Sequence, residues 1–544
     1  MSIGKNIAFL RKEKGFTQTE LGDILGVSNQ AVSKWESEMT MPDLMLLPKI
    51  AKVFQLSVDS LYAEIEDLIS MEKKDMQAGS ENEERRKNRM GKYFGTDGFR
   101  GEAGVTLTAE HAYKIGRFLG WYYSDGGRHR VRAVIGKDTR RSSYMLEYAV
   151  AAGLTASGGD AYMLHVTTTP SVSYAVASDD FDCGIMISAS HNPYTDNGIK
   201  LVNRHGEKID DATIEKIELY LDGHLGELGI TTPDIPFATG EELGRIVDFA
   251  AGRNRYIGYL ISLSRFSFKQ FRIGLDCANG SAWMIAKSVF DALGAKTYTI
   301  GAEPDGLNIN RDVGSTHIKA LSEYVRRKHL DVGFAFDGDA DRCIAVDENG
   351  NEVNGDHMLY ILATDLKQRG ELANNTVVTT VMSNLGLYRA LDAVDIAYEQ
   401  TTVGDRYVYE NMQKNGHCIG GEQSGHIILS KFATTGDGIL TAIKVMEALI
   451  ESKQPLSYLA SPVTMLPQVT KNLRVENKAA VRENEAVQRC VAEVAERLGK
   501  HGRVLLRESG TEPVVRVMAE AESEARCHEC VDEIVDVILR EGLA

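Results

Sequence analysis

The chain has 544 residues, 43% of them hydrophobic and 25% charged, which is more than one hydrophobic core organises and is the composition of a globular protein. No apolar run reaches the roughly 18 residues that suggest a membrane span, and Met1 opens no charged-then-apolar leader, so neither a membrane nor a secreted protein is expected. A net charge of −16 argues against nucleic-acid binding by the molecule as a whole, and seven scattered cysteines fit a reducing cytoplasm better than a disulfide framework.

The first 66 residues read as helical throughout. Apolar residues recur at helix spacing in Ile7 and Leu10, in Leu21, Ile24 and Leu25, in Val32 and Trp35, and from Leu46 to Phe54. Breaks fall at Gly15, at Gly26 to Ser28 and at Pro42, and Thr17 and Ser28 stand where helix N-caps belong. Two short helices split by a Gly-containing turn form the helix-turn-helix layout. The stretch "RKEKGFTQTELGDILGVSNQAVSKWE" and the "LLPKIAKVFQLSVDSLY" that follows resemble the Cro/C1-type (Xre-like) DNA-binding domain. That resemblance implies a second helix entering the major groove of duplex DNA, with Asn29, Gln30, Ser33 and Lys34 facing bases and Gln18 facing a phosphate. Two features depart from it. Residues 1–66 hold seven Lys and Arg against nine Asp and Glu, a net of −2, and Gly22 and Glu38 replace the usual Ala and Gly. A helical dimerisation module is the competing reading of the same residues.

Residues 67–92 are expected to be a linker, because the stretch "MEKKDMQAGSENEERRKNRMGK" is crowded with charge and nearly free of large apolar groups. From Tyr93 the texture changes. Apolar runs such as "AVIGKD", "FRIGLD", "VGFAFDGD" and "VVTTVM" alternate with helical stretches, which predicts α/β architecture with chemistry in the loops that follow the strands.

Four of those loops carry the chemistry. In "GIMISASHNPYTDNGIK" an apolar run gives way to Ser188, Ser190 and His191; the G-x-S-x-G elbow of a serine hydrolase is absent, and a phosphoserine at Ser190 fits better. Asp337, Asp339 and Asp341 alternate in "DGDADR", and carboxylates so close repel unless a cation sits among them. An all-oxygen donor set points to Mg²⁺ or Ca²⁺. A calcium EF-hand is excluded because its sixth position needs Gly and holds Arg342, whose fixed guanidinium instead suits phosphate. A phosphorylated Ser190 would complete the metal's ligand shell. In "GGEQSGHI", Glu422 and Ser424 can share hydrogen bonds with sugar hydroxyls. In "RESGTEPVVRV", Arg507, Ser509, Gly510, Thr511 and Arg516 combine guanidiniums, hydroxyls and an open backbone in a pocket for a phosphate dianion. The pair Cys527 and Cys530 in "CHEC" has no second pair nearby and is not expected to hold a metal.

"GTDGFRG", "ISASHNPYTDNGIK", "DGDADR", "GGEQSGHI" and "RESGTEPVVRVM" occur in the order found in the α-D-phosphohexomutases, and on them the chain from Tyr93 onward resembles that superfamily. "GEQSGH", "TVMSNLGL", "TVGDRYV" and "TTGDGI" are most similar to its branch acting on glucosamine phosphates. The resemblance implies three α/β domains and a smaller α+β C-terminal domain around one cleft, over residues 93–245, 246–347, 348–460 and 461–544. It implies Mg²⁺ dependence and interconversion of D-glucosamine 6-phosphate and 1-phosphate through phospho-Ser190 and a sugar 1,6-bisphosphate, supplying amino-sugar and cell-wall precursors. Lys200 and His426 become candidates for proton transfer, Arg100 for orienting the phosphate of Ser190, and a homodimer the expected assembly. Glucose or mannose phosphates as substrates, or a sugar-phosphate-sensing regulator, are the alternatives.

Overall fold

The computed structural model of the chain describes residues 3–43, 46–54, 61, 91–508 and 514–544, in two compact units, Met1–Met90 and Gly91–Ala544. Residues 67–90 of the expected linker, and Ser509, Gly510 and Thr511 of the fourth loop, lie outside the described residues.

In the first unit the helices are Ile3–Glu13, Gln18–Leu25, Asn29–Glu36 and Leu47–Phe54. Thr17 caps the second: its hydroxyl accepts the Glu20 N–H at 3.2 Å while the Glu20 carboxylate accepts the Thr17 N–H at 2.7 Å, a reciprocal capping box. Ser28 caps the third by accepting the Ala31 N–H, and Gly26 ends the second in a left-handed conformation. Leu10, Leu21, Leu25, Val32, Trp35, Ile50 and Phe54 are buried against one another. Glu36 ties three helices together by accepting from Arg11 Nε at 2.5 Å and from Gln18 Nε2 at 2.7 Å.

Both departures from the usual helix-turn-helix pattern have a visible setting. A Cβ on residue 22 would lie 2.8 Å from the Val27 carbonyl oxygen, so Gly22 lets the turn close against bare backbone. Glu38 sits at a φ of 62°, a left-handed conformation that costs a non-glycine residue roughly 1 kcal/mol and explains the usual glycine there.

Among the described residues the second unit holds four sheets. The first has, in spatial order, strands Phe94–Gly95, Gly98–Glu102, Asp196–Asn203, Cys183–Ile187, Arg132–Lys137, Asp160–Val166 and Ile246–Asp248. Its last four strands are parallel, and nearly every residue of Arg132–Lys137 and Cys183–Ile187 is buried, as parallel strands covered on both faces require. The helices Ala109–Tyr122 and Arg141–Ala156 cross closely over this sheet; a Cβ on Gly153 would stand 2.0 Å from the Tyr113 carbonyl oxygen.

The second sheet runs Glu352–Val353, Cys343–Val346, Val332–Phe336, Arg272–Asp276 and Lys296–Ile300, and the third Ala397–Thr401, Thr376–Thr380, Ile419–Gly421 and Ile427–Leu429. Each joins a parallel core to an antiparallel flank. The fourth is antiparallel, with Val514–Glu520 between Gln468–Arg474 and Arg503–Glu508. Helix Glu524–Arg540 covers it, and both cysteines of "CHEC" are buried in that packing, Cys527 donating to the Pro467 carbonyl. Among the described residues no helix is long and apolar enough to cross a membrane.

Three strands leave the sheets at their carboxyl ends into the polar loops: Cys183–Ile187 into the Ser190 loop, Val332–Phe336 into "DGDADR", and Ile419–Gly421 into "GEQSGH". This is where open α/β sheets place their ligands.

Candidate active site

Ser190 is buried and stands at a φ of 52°. Its hydroxyl donates a short hydrogen bond to Asp337 Oδ2 and lies 3.3 Å from His191 Nδ1. That ring nitrogen also faces Arg342 Nη1 at 3.1 Å. Burial, with Arg342 and Arg100 beside it, pushes the His191 imidazole down to about 4, so the ring is neutral and Nδ1 is an acceptor.

One oxygen from each of Asp337, Asp339 and Asp341 can lie within 4.8 Å of the others, and all three residues are buried. Burial, then the charges of Asp341 and Asp339, raise the Asp337 carboxyl well above the usual range. Lys200 relieves part of this repulsion, donating to Asp339 Oδ2 at 2.6 Å and to Asp341 Oδ2 at 3.0 Å. Burial opposes the charge of Lys200, but Asp339, Asp341 and Asp97 outweigh it and hold the ammonium well above its ordinary value. The donor set fits a hard divalent cation. Its oxygens converge, and among the described residues neither Asp339 Oδ1 nor Asp341 Oδ1, both buried, accepts a hydrogen bond, with His426 Nδ1 3.8 Å from the latter.

The cations around this cluster come from separate strands and loops. Arg100, on strand Gly98–Glu102, donates to Asp97 at 3.0 Å and reaches Asn192 Oδ1 at 3.5 Å. Arg342 closes the "DGDADR" loop with its N–H on Asp337 Oδ1 at 3.2 Å. Burial opposes the guanidinium charge, yet Asp341, Asp337 and Asp97 hold its pKa above the ordinary value.

His426 joins the cluster from the third sheet. The Gly436 N–H lies 3.0 Å from its Nε2, and its Nδ1 faces Asp341 Oδ1 at 3.8 Å. In the same loop, Glu422 accepts the Gly404 N–H at 3.1 Å and the Ser424 hydroxyl at 3.4 Å. A Cβ on Gly425 would stand 2.0 Å from the Cys343 carbonyl oxygen, so glycine lets the "GEQSGH" loop lie directly on the strand that leaves "DGDADR".

Ser190, Asp337, Asp339, Asp341, Lys200, Arg342, Arg100 and His426 are thus held around one buried cluster, with Glu422 beside it through Gly404 and Asp405. Arg507 and Arg516 sit on the fourth sheet, directly opposite each other across two antiparallel strands. Burial, then the charge of Arg516, lowers the Arg507 pKa, a pairing that an anion would relieve. In the first unit Asn29, Gln30, Ser33 and Lys34 are exposed along one helix, whereas Gln18 is half-buried and donates to Glu36.

Sequence reasoning passed over several partners. Thr169 donates from its backbone and hydroxyl to Asp339. Asp405 lies 3.4 Å from His426 Nε2 and accepts from Lys208 at 2.6 Å; Lys208 also reaches Asp97 at 3.1 Å. The "TVGDRYV" motif that contains Asp405 was the available signal, but its target is visible only once the third sheet is folded.

Residues 91–224, 254–350 and 354–465 match the phosphoglucomutase/phosphomannomutase alpha/beta/alpha domains I, II and III, and 471–537 match the C-terminal domain of the same family. Residues 7–61 match a helix-turn-helix family. The chain is 63% identical to the phosphoglucosamine mutase of Lachnospira eligens, over 84% of this chain and 100% of that protein. It is 47% identical to the phosphoglucosamine mutase of Bacillus subtilis, over 83% of this chain and 99% of that protein. A phosphoglucomutase/phosphomannomutase family protein of Burkholderia thailandensis shares the fold, with a TM-score of 0.67, 24% identity, and coverage of 82% of this chain and 98% of that one.

Proposed function

The chain belongs to the phosphoglucosamine mutases of the phosphoglucomutase/phosphomannomutase family, isomerases that move a phosphoryl group within a sugar, and we propose that it interconverts D-glucosamine 6-phosphate and D-glucosamine 1-phosphate through phospho-Ser190. The observation that carries this reading is the Ser190 hydroxyl bonded to Asp337, inside a triad with two further carboxylates and Lys200.

In this proposal Ser190 carries the phosphoryl group and gives it to the free sugar hydroxyl. The resulting 1,6-bisphosphate turns end for end and returns its other phosphate to Ser190. Asp337, Asp339 and Asp341, with the phosphorylated Ser190, would hold Mg²⁺, which would supply neutralisation of the transferring group. Arg342 adds a fixed positive charge beside that group, and Arg100 orients the phosphate on Ser190. Lys200 and His426 are the candidates for moving the hydroxyl proton, a role supported by their shared approach to Asp341. Arg507, Ser509, Gly510, Thr511 and Arg516 hold the phosphate that is not reacting, and Glu422 and Ser424 bind ring hydroxyls in either orientation.

The reading divides the second unit near residues 245, 347 and 460. The four sheets support it, although strands Ile246–Asp248 and Glu352–Val353 fall just beyond two of those points. Seven free cysteines support a cytoplasmic setting.

Substrate choice is tested by kcat/KM for glucosamine, glucose and mannose 6-phosphates. Glucosamine 6-phosphate is expected to lead by at least about 10-fold, the scale of one added polar contact. A lead for glucose or mannose would move the chain to a neighbouring branch, and bound sugar phosphate without turnover would make it a sensor.

The exposed face of Asn29, Gln30, Ser33 and Lys34 supports a second activity for residues 1–66, weak binding of duplex DNA by a homodimer. Affinity is expected to fall steeply with salt as phosphate contacts release counterions, and to depend more on Gln30 and Ser33 than on Lys12. Anisotropy titration of genomic fragments should show binding by the full chain and not by residues 91–544, with mutase activity nearly equal in the two. Equally poor binding by both would make the first unit a protein-interaction head.

A further inference from the structure

We propose that the buried ion pair of Asp138 and Arg140 sets the reactive position of Ser190, acting through Ser188 and assisted by Asn310; this rests on the phosphoserine reading above. The need for such a device is local. Ser190 stands at a φ of 52°, which few non-glycine residues adopt unless their surroundings hold them there.

Both polar ends of Ser190's backbone return to that one ion pair. The Ser190 N–H donates to Ser188 Oγ at 3.0 Å, and Ser188 Oγ donates to Asp138 Oδ2 at 2.8 Å. Asp138 Oδ2 also accepts Arg140 Nε at 2.7 Å, and Arg140 Nη2 donates to the Ser190 carbonyl at 2.9 Å. The circuit is closed. Arg140 extends it to the carbonyls of Asn192, at 3.0 Å, and Pro193. From the far side Asn310 Nδ2 donates to the carbonyls of Ser190 and Asn192, each at 2.9 Å. Asp138 Oδ1 is held in turn by the Ser143 hydroxyl at 2.7 Å and the Arg140 N–H at 3.0 Å.

Asp138, Arg140 and Ser188 are fully buried. A buried ion pair adds little stability over a well-packed apolar pair, and its best-supported use is to specify one arrangement. Here that arrangement is a nucleophile's backbone. Ser188 spends its proton on Asp138 and its lone pair on Ser190, which makes it a positioning residue and not a second phosphate carrier. Phosphoryl transfer needs the Ser190 oxygen in line with the phosphorus in both half-reactions, and a displacement of about 1 Å costs on the order of 10²-fold in rate.

The test uses the full chain with Ser188→Ala, which removes one oxygen, and Asn310→Ala, which acts from the opposite side. For each, kcat and KM with glucosamine 6-phosphate are measured, together with the rate at which glucose 1,6-bisphosphate phosphorylates Ser190. The expected result is a fall of about 10²-fold in kcat and in the loading rate, with KM within about twofold of wild type. Arg140→Lys, keeping the charge with fewer fixed donors, should fall between these and wild type. Wild-type kcat in both alanine variants, or a loss expressed in KM alone, overturns the proposal. A wild-type protein that does not turn over would instead overturn the mutase reading.

Discussion

Ser190→Ala is expected to leave a folded protein whose mutase turnover is reduced by 10⁴-fold or more, on the order of what is lost when a covalent nucleophile is removed from an enzyme. The hydroxyl bonds to Asp337 and lies near His191, so its loss costs the fold roughly 1 kcal/mol. It costs the chemistry far more. In the proposed reaction each turnover is two transfers through that oxygen, and no other described hydroxyl donates to Asp337. Ser188 is spent on Asp138 and Ser190, and Thr169 on Asp339. Circular dichroism should show an unchanged spectrum and a melting temperature within a few degrees of wild type. Residual activity above about 1% would mean that another group carries the phosphate.

Asp339→Ala is expected to lower turnover at least about 10²-fold and to weaken the response to added Mg²⁺ by a comparable factor, since even groups one step removed from a metal commonly cost 10- to 100-fold. Asp339 does two things at once. Its Oδ1 is buried and unbonded, available to a cation, while its Oδ2 accepts from Lys200 at 2.6 Å. The alanine variant therefore loses a candidate ligand oxygen and the shorter of Lys200's two bonds. Asp339→Asn separates these effects, keeping shape while removing the charge. Wild-type turnover should vanish in excess EDTA and return with Mg²⁺; full activity in EDTA would remove the metal from the account.

Much of the helix-turn-helix unit was legible because its signals are local. Thr17 capping Glu20 and Ser28 capping Ala31 act over three residues, within reach of a pattern read along the chain. The three polar loops at strand ends were legible for the same reason, each being an apolar run followed at once by charged or hydroxylated residues.

What was not legible is what distant parts do to each loop. The left-handed backbone of Ser190 is invisible in "SASHN", because Arg140 and Asn310, which grip it, lie 50 and 120 residues away. Lys200 could be named as a candidate for proton transfer, but its bonds to Asp339 and Asp341 cross some 140 positions and need two sheets in place. Asp405 and Lys208 were missed because a single acid and a single base carry no periodicity. Gly22 and Glu38 read only as departures until the Val27 carbonyl and the φ of Glu38 showed the backbone each must accommodate.

Where the phosphate sits decides whether Ser190 carries it. Wild-type protein loaded from isotopically labelled glucose 1,6-bisphosphate with Mg²⁺, digested and read by mass spectrometry, is predicted to carry one labelled phosphate, on Ser190, and on adding glucosamine 6-phosphate the label passes to the sugar phosphate while Ser190 is left carrying unlabelled phosphate. Phosphate on Ser188 with Ser190 unmodified, or rapid turnover by a protein with no phosphate on Ser190 at any stage, would contradict it.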